Sequence, residues 1–156
     1  MISHSVTYHR TASWCTAVAL SVLVGMPTNA HEIVANDLHI QHPYTAEPPA
    51  GIGFDLPVYM VIRNQSGLAD RLISTTSTFG TSVAIVRRDG RDAPVAVASG
   101  IALPVHSETS VGPKSAYILI HNLTQPLAGY EYFPMTLVFE KAGAVDIEVF
   151  VKDAAD

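Results

Sequence analysis

Val145-Asp146-Ile147-Glu148-Val149-Phe150-Val151-Lys152 decides the fold. The β-branched residues 145, 147, 149 and 151 alternate with Asp146, Glu148, Phe150 and Lys152. That period of two belongs to a strand with one buried face, not to a helix. Just upstream, Phe133, Met135, Leu137 and Phe139 alternate with Pro134, Thr136, Val138 and Glu140. Further back, Phe54, Leu56, Val58, Met60 and Ile62 alternate with Asp55, Pro57, Tyr59, Val61 and Arg63, which puts Phe54 through Ile62 on a core face. Asp37–Gln41, Leu72–Ser77, Ser82–Arg87, Pro94–Ala98, Glu108–Val111 and Ala116–His121 extend the series. Pro48-Pro49-Ala50-Gly51, Asn64-Gln65-Ser66-Gly67, Asp89-Gly90, Gly112-Pro113 and Ala142-Gly143 supply turns between them. Nine short strands and no sustained helical period predict a single all-β domain, an antiparallel β-sandwich or barrel.

Composition narrows the function. The chain has 156 residues, 48% hydrophobic and 15% charged, which suits one domain with a real core. A net charge of −5 without a Lys/Arg run argues against nucleic acid and anionic membrane surfaces as partners. One Cys allows neither an internal disulfide nor a Cys-based metal cluster.

Residues 1–30 read as a cleavable secretory signal. Arg10, their only Lys, Arg, Asp or Glu, precedes an apolar run from Ala12 to Met26, and Thr28 and Ala30 are the small residues at −3 and −1. The run is 15 residues, short of the roughly 20 that span a bilayer. Cys15 lies inside the run with apolar residues after it, which speaks against lipoprotein processing there. Cleavage after Ala30 leaves a periplasmic domain, 31–156, with 8 basic and 14 acidic residues and no Cys.

The remaining chemistry is sparse. There is no G-x-S-x-G, no phosphate-cradling glycine loop, no G-x-G-x-x-G and no H-E-x-x-H, so the sequence does not read as an enzyme. Ser74, Ser77, Ser82, Asp146 and Glu148 fit solvated strand and turn positions. Asn64-Gln65-Ser66 and Asn122-Leu123-Thr124 match the glycosylation triplet by composition alone. Metal binding is what remains. After cleavage His31 is the N-terminus, and its α-amine and imidazole together can chelate Cu(II). His39 faces outward between Leu38 and Ile40, and Pro43 predicts an extended His42; both read as surface or packing residues. Met60 and Met135 share strand faces with Leu56 and Leu137 and read as core.

The chain resembles the periplasmic copper chaperones of the PCu(A)C family. The resemblance is carried by Ala30-His31-Glu32-Ile33-Val34, Leu38-His39-Ile40-Gln41-His42-Pro43, Tyr59-Met60-Val61-Ile62-Arg63-Asn64 and Asp70-Arg71-Leu72-Ile73. It continues through Gly100-Ile101-Ala102-Leu103-Pro104, Asn122-Leu123-Thr124-Gln125-Pro126-Leu127 and Leu137-Val138-Phe139-Glu140-Lys141-Ala142-Gly143. It implies a cupredoxin-like β-sandwich, copper as cargo, and a copper or oxidase-assembly protein as partner. It also implies a Cu(I) site of two His and two Met. Here the first His position falls on Val86, the Asp89–Pro94 loop has no Met, and the His-x-Met positions fall on Tyr117 and Leu119. Arg87 and Arg88 beside the site further disfavour a cation. His121 shares the parity of Tyr117 and Leu119, a lone imidazole one step further along the same strand face. The expectation is therefore a copper-chaperone-like fold without the usual Cu(I) ligands. The alternative is a non-metal module that binds a protein or small apolar ligand on the vacated surface.

Overall fold

The computed structural model describes residues 32–153 and 155; the expected signal segment 1–30 and His31 lie outside the described residues. Eleven strands form: β1 (Glu32–Ala35), β2 (Leu38–Ala46), β3 (Leu56–Asn64), β4 (Asp70–Thr76), β5 (Gly80–Arg87) and β6 (Val95–Ala96), then β7 (Ile101–Leu103), β8 (Ser107–Val111), β9 (Ala116–Leu123), β10 (Tyr132–Phe139) and β11 (Gly143–Lys152). Their order is β6-β5-β9-β3-β2-β11-β10-β4-β7, with β1 on β2 and β8 on β3. The sheet curls around one core, as the alternating sequence requires. Leu38, Ile40, Val58, Ile62, Phe133, Leu137, Ile147 and Val149 point inward, and Asp146 and Glu148 are exposed. Met60 and Met135 are 3% and 2% exposed, core residues as expected.

Four expectations need correction. Phe54 is not a core residue: the strand starts at Leu56, and Phe54 lies in the preceding loop at 37% exposure. The strand expected over Pro94–Ala98 shrinks to Val95–Ala96, and two others, β1 and β7, were not expected. Pairing is not wholly antiparallel, because β11 runs parallel to β2 through Phe150↔Tyr44, Val151↔Thr45 and Lys152↔Ala46. Finally, His42 is not extended but has φ 49°.

His42 illustrates how register overrides local preference. Between the pairs Gln41↔Val61 and Tyr44↔Tyr59, β2 advances three residues while β3 advances two. The extra residue makes a bulge, and the left-handed region it uses is one that His enters more readily than most side chains. The bulge also reverses the strand's parity. Leu38 and Ile40 face the core before it, Pro43 and Thr45 after it. Tyr44, which an unbroken alternation would bury, is thereby turned to the outer face.

One buried group lacks a partner. Thr75 is 6% exposed, and its hydroxyl has no hydrogen bond among the described residues. Thr75→Val should leave stability unchanged or raise it by up to about 1 kcal/mol, because an isosteric methyl removes an unsatisfied polar atom. Urea unfolding measures this, and a loss beyond about 1 kcal/mol would reveal a partner for that hydroxyl.

Candidate functional site

The described histidines occupy separate places. Asn36 and Asp37, with φ 47° and 64°, form the two-residue turn of the β1–β2 hairpin. That turn sets Glu32 opposite Gln41, where its carboxylate accepts from Gln41 Nε2 at 2.8 Å and pairs with His39 Nδ1 at 2.9 Å. The Gln41 and His39 hydrogen bonds hold the Glu32 carboxyl below its usual range. The ionised form thus helps hold β1, a contribution present above the ordinary carboxylate range and lost as pH falls through the lowered value. The Asn36-Asp37 pair was the sequence signal that could have announced this hairpin.

His121 lies near the end of β9, paired in register with Ser82. Its Nδ1 is 3.2 Å from Asp55 Oδ2, while Asp55 Oδ1 accepts the Asn122 N–H at 3.0 Å. This pair fastens the loop before β3 to β9. His42 sits at the β2 bulge, and His106 in the turn between β7 and β8. Among the described residues, no three His, Cys, Asp or Glu side chains gather to hold a metal.

Adjacent strands do bring together the three positions singled out for copper. Val86 pairs with Tyr117 and Ala84 with Leu119. Val86, Tyr117 and Leu119 are 3%, 4% and 6% exposed. Two aliphatic chains and a phenol offer neither imidazole nor thioether, so these residues do not fit Cu(I).

Tyr117 instead ends a row of aromatic rings. Its ring centroid is 5.9 Å from Tyr59, and Tyr59 is 5.6 Å from Tyr44. Register then carries the row from Tyr44 to Phe150 and from Phe150 to Tyr132. Tyr132 and Tyr130 lie 5.1 and 6.3 Å from Phe150. The chain has six tyrosines, and every one after Tyr8 is in this row. Lys152 sets its ammonium 4.0 Å from the centre of the Tyr44 ring, a cation–π contact. Burial, then the neighbouring Tyr117 and Tyr44 phenols, push the Tyr59 hydroxyl above its ordinary pKa, with Arg88 opposing them. Tyr59 therefore stays a hydrogen-bond donor at neutral pH. The tyrosines were visible in the sequence, but their convergence depends on the β2 bulge and on strand order.

The fold has known counterparts. The copper-bound PCuAC domain from PmoF2 is 28% identical, covers 79% of this chain and 98% of its own, and superposes with a TM-score of 0.67. The apo PCuAC domain from PmoF1 gives 26%, 79%, 99% and 0.66. Cu(I)-DR1885 from Deinococcus radiodurans, at 18% identity, 83% and 85% coverage and a TM-score of 0.60, shares the fold. No curated protein matches the chain. The LpqE-like family model matches residues 38–151, from the first residue of β2 almost to the end of β11. The chain belongs to the LpqE-like family, on a cupredoxin-like fold that it has in common with PCuAC domains.

Proposed function

We propose that this protein is an exported, periplasmic accessory in copper handling or oxidase assembly, without the usual Cu(I) site, acting by protein contact or by Cu(II) held at His31. The observation that carries this reading is the pairing of Val86 with Tyr117, beside Leu119, on a PCuAC-like fold. Side chains that cannot ligate Cu(I) fill the place where the resemblance puts ligands. Export and cleavage after Ala30 rest on the pattern of residues 1–30 and make His31 the mature N-terminus. Two nitrogens of one residue then close a chelate without a preformed pocket. One neighbour is a copper-bound PCuAC domain and another is a Cu(I)-bound protein, which makes copper the natural cargo.

Mass spectrometry of the exported protein should find His31 at the N-terminus; a lipid-bearing Cys15 or a retained 12–26 segment would overturn the chelate. Cu(I) should bind weakly or not at all in a competition titration. Tight stoichiometric binding that is lost in Met60→Ala or Met135→Ala would show those thioethers to be ligands. Cu(II) should bind and be released as pH falls through the α-amine range near ~7.7 and the imidazole range near ~6.5, because both nitrogens must be unprotonated. His31→Ala, or one Ala inserted before His31, should abolish it, whereas His121→Ala, whose imidazole is paired with Asp55, should not. An unchanged paramagnetic resonance spectrum after the insertion would refute the terminal chelate.

A second reading has an observation of its own. The tyrosine row favours a module that binds a protein or small apolar ligand without metal.

A further inference from the structure

We infer that the aromatic row from Tyr130 and Tyr132 through Phe150 and Tyr44 to Tyr59, backed by the buried Tyr117 ring, is a docking surface for an extended, proline-rich segment of a partner protein that carries a carboxylate at its Tyr59 end. The inference deepens the protein-contact part of the reading above and does not depend on copper at His31.

The row occupies strand positions where solvated side chains are expected. On β10 and β11 the inward residues are Phe133, Met135, Val149 and Val151, so Tyr132 and Phe150 belong to the outer face. Tyr130 and Tyr132 are 63% and 47% exposed. Cross-strand stacking would steady a sheet with one or two such pairs. It does not account for every tyrosine after Tyr8 sharing one surface, or for a bulge that turns Tyr44 onto it. Tyr, Phe and Arg are the side chains that concentrate binding energy at protein interfaces.

Ring geometry and hydrogen bonding select the occupant. Neighbouring rings are inclined by 44° to 61°, giving ridges and clefts rather than the flat platform a sugar ring would cover. One such cleft, about 240 Å³, is lined by His42, Pro43, Tyr44, Phe150 and Lys152. Clefts between aromatic rings accept the pyrrolidine rings of a polyproline II helix. The contacts of the half-buried Tyr44 and Tyr59 side chains are ring contacts, which leave their hydroxyls able to donate outward. A polyproline II segment has the complementary need, since its backbone carbonyls have no internal donors. Three strand spacings of ~4.8 Å from Tyr132 to Tyr59 give an accessible row on the order of 14 Å. About four or five residues at ~3.1 Å each would cover it.

Charge sets the direction. Of the acids near the row, Glu131, Glu148 and Asp153 belong to β10, β11 or their flanks at the Tyr130 end, Glu47 lies beside Lys152, and Asp89 at the other end is paired with Arg87. Arg88 follows β5, whose Val86 pairs with Tyr117, and it acts on Tyr59 from the other end. Lys152 reaches onto Tyr44 between them. A carboxylate on the partner therefore belongs toward Tyr59 and Arg88.

The test titrates the exported protein, with a chelator present to remove copper, against a synthetic peptide of Glu-Pro-Pro repeats. Tyrosine-ring chemical shifts are one readout. Tyrosine fluorescence is another, because Trp14 is the only tryptophan and leaves with the signal. Saturable shifts confined to the row are expected. Tyr59→Phe keeps the ring and removes the donor, and should weaken binding by about twofold to tenfold, the worth of one hydrogen bond. Tyr44→Ala should weaken it by about tenfold or more. Arg88→Gln should weaken the Glu-Pro-Pro peptide but not an Ala-Pro-Pro one. No saturable binding, or an affinity unchanged in Tyr59→Phe, would overturn the proposal, as would a preference for cellohexaose over both peptides. Failure of Cu(II) to bind His31 would leave this result standing, so the two readings fail separately.

Discussion

Asn64→Ala should destabilise the domain by about 3 kcal/mol or more, because a single buried amide satisfies four groups at once. Asn64 is 1% exposed at the end of β3. Its Nδ2 donates to the Leu68 carbonyl at 2.8 Å and to the Leu103 carbonyl at 3.0 Å. Its Oδ1 accepts from the Ser66 N–H at 3.0 Å and the Ser66 hydroxyl at 2.8 Å. Truncation leaves the Leu103 carbonyl buried without this donor and releases the turn after β3. Asn64→Asp keeps the acceptor for Ser66 and removes both donated bonds, so it should destabilise comparably by placing a carboxylate against two carbonyls. Urea unfolding with an unchanged slope and a lowered midpoint is the expected result; a midpoint within experimental error of the parent would refute it. The same geometry bears on the Asn64-Gln65-Ser66 triplet, since an amide engaged this way is not presented for glycosylation.

Gly100→Ala should approach the same magnitude through the backbone. Gly100 has φ 68°, and an added Cβ would fall 2.2 Å from the Leu72 carbonyl oxygen and 3.1 Å from its carbon. The left-handed conformation costs a non-glycine residue about 1–2 kcal/mol, and a forced backbone shift about 1–3 kcal/mol more. The shift would separate β4 from β7 where Leu72 pairs with Ile101. Gly90→Ala is the control, with φ 67° and nothing within 4 Å of its added Cβ. It should show the conformational part alone, about 1–2 kcal/mol. Thermal unfolding and amide exchange at Leu72 and Ile101 separate the two variants, and equal losses would show that the collision is relieved cheaply.

Much of this molecule is legible in its sequence because alternation is a local property. Val145 through Lys152 dictates which side chains of β11 face the core, and Met60 and Met135 could be assigned to that core from their neighbours. Pairing between distant strands is not local. Nothing near His42 says that β2 takes one residue more than β3, so Pro43 pointed to an extended residue where a bulge exists. The Asp55–His121 pair and the parallel contact of β11 with β2 likewise join segments far apart in the chain. The sequence by itself determined an all-β domain and most of its core faces. Only the tertiary structure decided that Tyr44, Tyr59 and Tyr117 meet Phe150 and Tyr132 in one row, because a one-residue change of register sends a side chain to the opposite face of its strand.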